Sequence, residues 1–127
     1  MKKPLSLPNN RTNQEIVLTK AVIKLALIYG LKGKELGDII GISEASASRL
    51  YKGNKLLSPQ SKEGELALLL IRLYRSLNAL LGNDFTKAKA WLNSKNDYFG
   101  AIPLEHIKRV DGLVECVNYL DAMRGKT

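Results

Sequence analysis

The sequence predicts an all-α chain in which an N-terminal helix-turn-helix bundle is joined by a long helix to a small C-terminal helical domain. Three observations predict it. Residues 33–52, GKELGDIIGISEASASRLYK, place two short apolar-periodic stretches on either side of a glycine turn. Residues 61–81 form one uninterrupted leucine-rich stretch. Beyond Asn83 the chain breaks into short segments punctuated by turn residues, with almost no strand alternation anywhere. The division expected is residues 1–13 as a flexible basic arm, 14–82 as the helix-turn-helix domain with its connecting helix, and 83–127 as the C-terminal domain.

The first helix is expected from Gln14 to Tyr29, capped near Asn13 and ended at Gly30. Its apolar set, Ile16, Val17, Ala21, Ile23, Leu25, Ala26 and Ile28, is wide enough to bury more than one stripe. This helix should pack beneath the pair that follows.

In that pair Leu36, Ile40, Ile42, Ala47 and Leu50 converge on a shared core. Gly37 lets the two helices approach closely, and Gly41 supplies the positive φ that ends the first of them. Ser43 is the expected N-cap of the second helix, and Gly53-Asn54 closes it. The second helix is short and hydroxyl-rich. Ser43, Glu44, Ser46, Ser48 and Arg49 lie away from Ala47 and Leu50, and small Ala45 allows close approach to a groove. Serine can donate to or accept from any base, and Arg49 can pair bidentately with guanine or clamp a phosphate. Lys34, Lys52 and Lys55, with Lys32, stand at helix ends and loops as phosphate contacts. Over about twenty residues the spacing resembles the helix-turn-helix of Xre and Cro/repressor-like regulators; an αα-hairpin with a solvated polar face is the plainer alternative.

Charge favours the nucleic-acid reading. The 127 residues carry a formal +8, and residues 1–62 hold 11 Lys and Arg against 4 Asp and Glu, whereas residues 63–127 hold 9 against 8. A cationic surface gathered on one half attracts a polyphosphate through counterion release. One such motif binds weakly, so two copies reading two half-sites are the physical expectation, hence a homodimer.

Residues 53–64 read as a loop containing Pro59. The helix near Ser61 to Leu81 then stops at Gly82-Asn83. Leu66, Leu69, Leu70, Leu73, Leu77 and Leu80 make one stripe, and Leu68, Ile71, Tyr74 and Leu81 extend it. The surplus covers either a second domain or a second subunit. Next, Asp84 to Leu92 forms a helix with Phe85, Ala88, Trp91 and Leu92 on one side, the sole Trp anchoring a small core. Residues 93–102 are a loop. Pro103 suits a helix first turn that continues from Leu104 to Val110, and Asp111 caps a last helix from Gly112 to Met123.

Other classes are excluded or disfavoured. MKKPLSLPNNRTN has no apolar run behind its lysines to act as a signal peptide, and Leu66 to Ile71 falls far short of the ~20 residues that span a bilayer. A lone Cys116, set among Val114, Val117 and Leu120, forms no internal disulfide and reads as a small buried hydrophobe, which suits a reducing cytoplasm. His106 is the only histidine and lacks metal-ligand partners, carboxylates are scattered, and Gly30, Gly33 and Gly37 form no phosphate-cradling loop. The chain is expected to need no catalytic residue, no metal and no cofactor.

Ala90-Trp91-Leu92, Phe99-Gly100, Pro103-Leu104-Glu105, Gly112, Val117 and Leu120, ending in a short tail at Gly125, resemble the toxin-binding domain of the Xre/MbcA/ParS antitoxin family. In that family this domain follows an Xre-type helix-turn-helix, as here. The chain departs from the pattern at Ala101, where the family has a second glycine, and at Ile102, where a Thr or Ser precedes the proline; Ile102 removes an N-cap hydroxyl. The resemblance implies a type II antitoxin. It would bind and neutralise a RES-domain toxin that acts on NAD, and would repress its own operon by binding operator DNA.

Such a role calls for an apolar docking face and a protruding segment. The last helix carries Tyr119, Asp121, Met123 and Arg124 into the tail Gly125-Lys126-Thr127, which is expected to cover the toxin's NAD site. Tyr98, Phe99 and Ile102 supply loop contacts, or else pack locally. Two other readings stay open: a stand-alone dimeric repressor, and a protein–protein adaptor with a degenerate helix-turn-helix.

Overall fold

The regular structure of residues 10–125, the part of the chain that the computed structural model describes, is seven helices and a single isolated bridge between Asn96 and Ala101, with no strand among them. The all-α architecture is the one the sequence predicts.

Helix α1 spans Asn10–Ile28. It begins upstream of the expected cap, so Asn13 lies inside the helix, and residues 10–13 of the expected arm are helical. Leu18, Val22, Leu25, Ala26 and, just past the helix, Tyr29 are buried, whereas Val17 and Leu27 are each 67% exposed. The buried apolar positions recur at the i, i+4, i+7 spacing of one stripe, with Ile16, Ala21, Ile23 and Ile28 only half-buried beside it, where the sequence predicts more than one buried stripe. Gly30, at φ +67, ends the helix while Leu31 N donates to Ala26 O at 2.8 Å, a Schellman closure.

Helices α2 (Gly33–Ile40) and α3 (Glu44–Tyr51) form the expected helix-turn-helix. Gly41 adopts φ +79, and Gly41 N and Ile42 N both donate to Gly37 O. Leu36, Ile40, Ala47 and Leu50 are fully buried, and half-buried Ile42 packs against them. The loop after α3 crosses α1, where buried Leu57 N donates to Thr19 Oγ1 at 2.8 Å; that bond explains a buried threonine in an apolar stripe.

Ser61 caps α4 (Lys62–Leu80), accepting from Gly64 N at 3.0 Å and donating to Ser58 O at 2.7 Å. A Cβ on Gly64 would stand 1.7 Å from Ser58 O, so only glycine lets the loop lie on the helix start. Helix α4 is the spine. It packs against α1 and α2 and, more extensively, against α7, with Leu70, Leu73 and Leu77 fully buried. The surplus apolar surface read from the sequence therefore covers the C-terminal part of the same chain, although Leu68 stays 46% exposed.

Asp84 caps α5 (Phe85–Asn93), where Ala88 and Leu92 are buried. Trp91 does not anchor the core. It is half-buried at the edge, meeting Phe99 edge-on at 6.3 Å, while Phe85 is 45% exposed. Helix α6 is one turn, Pro103–His106, shorter than expected, and its N-cap Ile102 makes no side-chain cap bond. Helix α7 (Val110–Gly125) begins ahead of Asp111, which therefore sits in the first turn instead of capping it. Glycine is needed at 112 because a Cβ there would lie 1.9 Å from His106 O.

Leu113, Cys116, Val117 and Leu120 seat α7 on the core. Its far end is tied to α4 by polar contacts. Ser76 Oγ donates to Asp121 Oδ1 at 2.8 Å, Arg124 Nη1 donates to Ser76 Oγ at 3.1 Å, and Arg72 forms an ion pair with Asp121. One continuous hydrophobic core runs through both ends of the molecule.

Candidate functional site

Two surfaces stand out, and the first is the outer face of α3. Ser43, in extended conformation at φ −68, accepts from Ser46 N at 3.0 Å and so satisfies one of the free amides of the first turn. Glu44, Ala45 and Arg49 are exposed, and Ser46 and Ser48 are half-buried. Arg49 Nη2 donates to Ser46 Oγ at 3.1 Å, which orients the guanidinium along the helix face with donors to spare. Tyr51 fixes the helix from behind by donating to Leu31 O at 2.8 Å; burial, and then the negative charge of Glu35, push its pKa up, so it remains a donor.

The cations around α3 differ in freedom. Lys32 and Lys52 are exposed. Lys34 is also exposed but faces Asp38 at 3.5 Å, and Lys55 is half-buried. An exposed pair of this kind is weak and yields readily to a phosphate. The exposed face of α3 is a single helix, of the width that a major groove admits.

The second surface lies at the other end, where the loop between α5 and α6 meets α7. Asn96 organises the loop: its backbone N donates to Ala101 O at 2.9 Å, and its Oδ1 accepts from Tyr98 N at 2.8 Å and Phe99 N at 3.3 Å, with Gly100 at φ +67. Tyr98 is held against Tyr119 with ring centroids 4.6 Å apart, and Phe99 meets Tyr119 edge-on at 5.2 Å. Tyr98 is nonetheless 67% exposed, whereas Phe99 is half-buried and stacks on His106. Local packing and exposure are therefore divided between the two rings.

Along α7, Tyr98 and Tyr119 border a groove of about 640 Å³ that Val114, Asn118, Ala122 and Met123 also line; Phe99 is outside it. Tyr119 and Met123 belong to it. Arg124 does not, since it is turned toward Ser76 on α4, and Ile102, 39% exposed, is not part of its lining. Gly125 ends α7 in the open, and Lys126 and Thr127 lie outside the described residues. The groove itself escaped sequence reasoning. Its signal was the spacing Val114, Asn118, Ala122, which a helix stacks on one face.

Asp111 and Glu115 stand at the near end of this groove. Arg109 donates to both oxygens of Asp111, at 3.1 and 3.5 Å, which holds that carboxyl below the usual range. His106 Nε2 lies 2.6 Å from Glu115 Oε1. Among the described residues, no group of His, Cys, Asp or Glu is arranged to hold a metal ion, and no helix is long and apolar enough to cross a membrane. Burial pushes the Cys116 thiol up to about 12, with Glu115 adding to the effect, as suits a packing residue.

A further apolar groove, about 630 Å³, runs between α1 and α4, where exposed Val17 and Leu68 flank Ala21 and Ile71.

No curated protein matches the chain. Residues 10–72 match the family model of the antitoxin Xre-like helix-turn-helix domain, and residues 76–126 match that of the antitoxin Xre/MbcA/ParS C-terminal toxin-binding domain. The first match takes in the whole of α2 and α3, and the second the aromatic loop and α7. With both domains present in this order, one for DNA and one for a toxin and neither catalytic, the chain belongs to the Xre/MbcA/ParS antitoxin family.

Proposed function

We propose that this antitoxin neutralises a RES-domain toxin that depletes NAD, covering the toxin's active site with its C-terminal domain, and represses its own operon through α3. The observation that carries the reading is the pairing, in one chain, of a capped and exposed reading helix with a separate exposed aromatic face inside the toxin-binding domain. Tyr98, Phe99, Ile102, Tyr119, Met123 and Arg124, with the tail from Gly125 to Thr127, are the proposed toxin contacts. Helix α7 ends at Gly125 with no neighbouring atoms against it, which leaves that end accessible to a partner.

Ser43, Glu44, Ala45, Ser46, Ser48 and Arg49 are the proposed base-reading face, and Lys34, Lys52 and Lys55, with Lys32, the phosphate contacts. The domains proposed are residues 14–82 for DNA and 83–127 for toxin. Repression needs two copies on a two-fold operator, and the α1/α4 groove with its exposed Val17 and Leu68 is the candidate contact between them.

The test is co-expression with a RES-domain reading frame found beside this gene, scoring growth, cellular NAD and co-purification. Restored growth and NAD with a stable complex is the expected result. A folded chain that neither rescues nor co-purifies, yet binds its promoter, would be a stand-alone repressor; absence of salt-dependent DNA binding would leave an adaptor.

A further inference from the structure

The groove along α7 has features that closing an active site with a tail does not require. Its aromatic wall is preorganised: Asn96 holds the Tyr98 backbone, and Tyr119 holds the Tyr98 ring, although the ring is mostly exposed. Locking an exposed aromatic costs entropy unless a partner uses it, and rigid aromatics are the common anchors of interfaces. Exposed Val114, Asn118 and Ala122 follow one another along the groove at successive turns.

The charge is the discriminating feature. On a chain of formal charge +8, the charged side chains that line this groove, among the described residues, are two carboxylates, Asp111 and Glu115. The side chains that meet them, the guanidinium of Arg109 and the imidazole of His106, stand outside the lining. A carboxylate offers about four acceptor sites, so each retains capacity for a further donor. Nucleic acid is repelled by such a lining. A second copy of this chain seated groove to groove would bring like charges together.

We infer that this groove takes a segment of the toxin in which a cationic side chain pairs with Glu115 and Asp111 while a large apolar side chain packs on Met123 and Tyr98. Glu115 and Met123 are eight residues apart on one helix, about 12 Å at 1.5 Å per residue. The two anchors are therefore about four residues apart if the segment is extended, at about 3.3 Å per residue. Asn118, midway, is placed to bond its backbone. The inference rests on the antitoxin reading and adds a contact independent of the tail.

The experiment uses the full-length chain and the RES-domain protein encoded beside it, with affinity measured across a salt series for wild type, D111N/E115Q and Asn118→Trp. The double variant removes the charge, and the tryptophan fills the groove while both carboxylates are kept. Circular dichroism and promoter binding confirm that each variant is folded. The expected result is at least about tenfold weaker toxin binding for both, with a flattened salt dependence for D111N/E115Q only. Unchanged affinity and salt dependence would overturn the inference while leaving the antitoxin reading intact. Variants that alter self-association but not toxin affinity would assign the groove to a second copy, and would overturn it too. A wild-type chain that binds no RES-domain protein would overturn both readings together.

Discussion

A Cβ placed on Gly37 would lie 2.6 Å from the carbonyl oxygen of Ile42, so the backbone of the turn rests directly on the first helix of the helix-turn-helix. That oxygen belongs to backbone and cannot swing aside as a side chain would. Gly37→Ala is expected to force α2 and the turn apart and to destabilise the protein by about 1–3 kcal/mol, the usual range for overpacking. Thermal denaturation checks it. An unchanged melting temperature would mean that the turn is softer than its geometry implies.

Loss of the Ser43 hydroxyl leaves the first-turn amide of Ser46 to solvent. Ser43→Ala should cost about 1 kcal/mol of stability, and Ser43→Asp should restore most of it, because Asp caps equally well. Urea titration of the three proteins gives the comparison.

Arg49 and Lys52 should separate specificity from affinity. Arg49→Ala is expected to weaken operator binding by about 1–3 kcal/mol and to relax sequence preference, whereas Lys52→Ala should weaken binding to all sequences and reduce the salt slope by about 1. Parallel titrations on operator and scrambled duplexes decide. Equal losses on both duplexes for Arg49→Ala would remove base reading from its role.

Deleting residues 125–127 should reduce toxin neutralisation and leave promoter binding unchanged, since the deletion keeps Arg124 and its bond to Ser76 on α4. Toxin inhibition and promoter affinity measured on the same preparation provide the check. Full neutralisation by the shortened chain would move the toxin contacts elsewhere on the domain.

Alkaline pH should unfold the protein through its core. Cys116 has its pKa raised from 9.0 to about 12 in the fold, and burial raises Tyr29, Tyr51 and Tyr74 as well. The unfolded thiol releases its proton first, so stability is intact below about pH 9. It then falls by up to about 1.4 kcal/mol per pH unit as the pH rises toward 12. Urea midpoints between pH 7 and 10.5 test the direction, and Cys116→Ala should flatten the first part of the fall.

Local chemistry made the helix-turn-helix readable in advance. Gly37, Gly41, Ser43 and Gly53 each act within a few residues of themselves, and each performs the expected task. Where a residue's role depends on distant partners, reading the sequence failed. Val17 and Leu18 are equally apolar, yet only Leu18 is buried, because the position of α4 and not hydrophobicity chooses the stripe. Asp111 looked like a cap, but the short α6 and the close approach of Gly112 to His106 start α7 earlier. Of the terminal contacts, Tyr119 and Met123 share a groove while Arg124 is bound to Ser76, a pairing 48 residues apart that no local pattern encodes.

Because α4 packs against α1 and α2 of the helix-turn-helix end and also against α7, neither end of this molecule has a core of its own to fall back on. The two binding activities therefore share one lifetime. Local opening that frees α7 would strip α4 and expose the helix-turn-helix to proteolysis, and a toxin bound to the far end would slow that loss by mass action. If α3 represses as proposed, the persistence of that repression is linked to how much toxin is present to hold the chain closed.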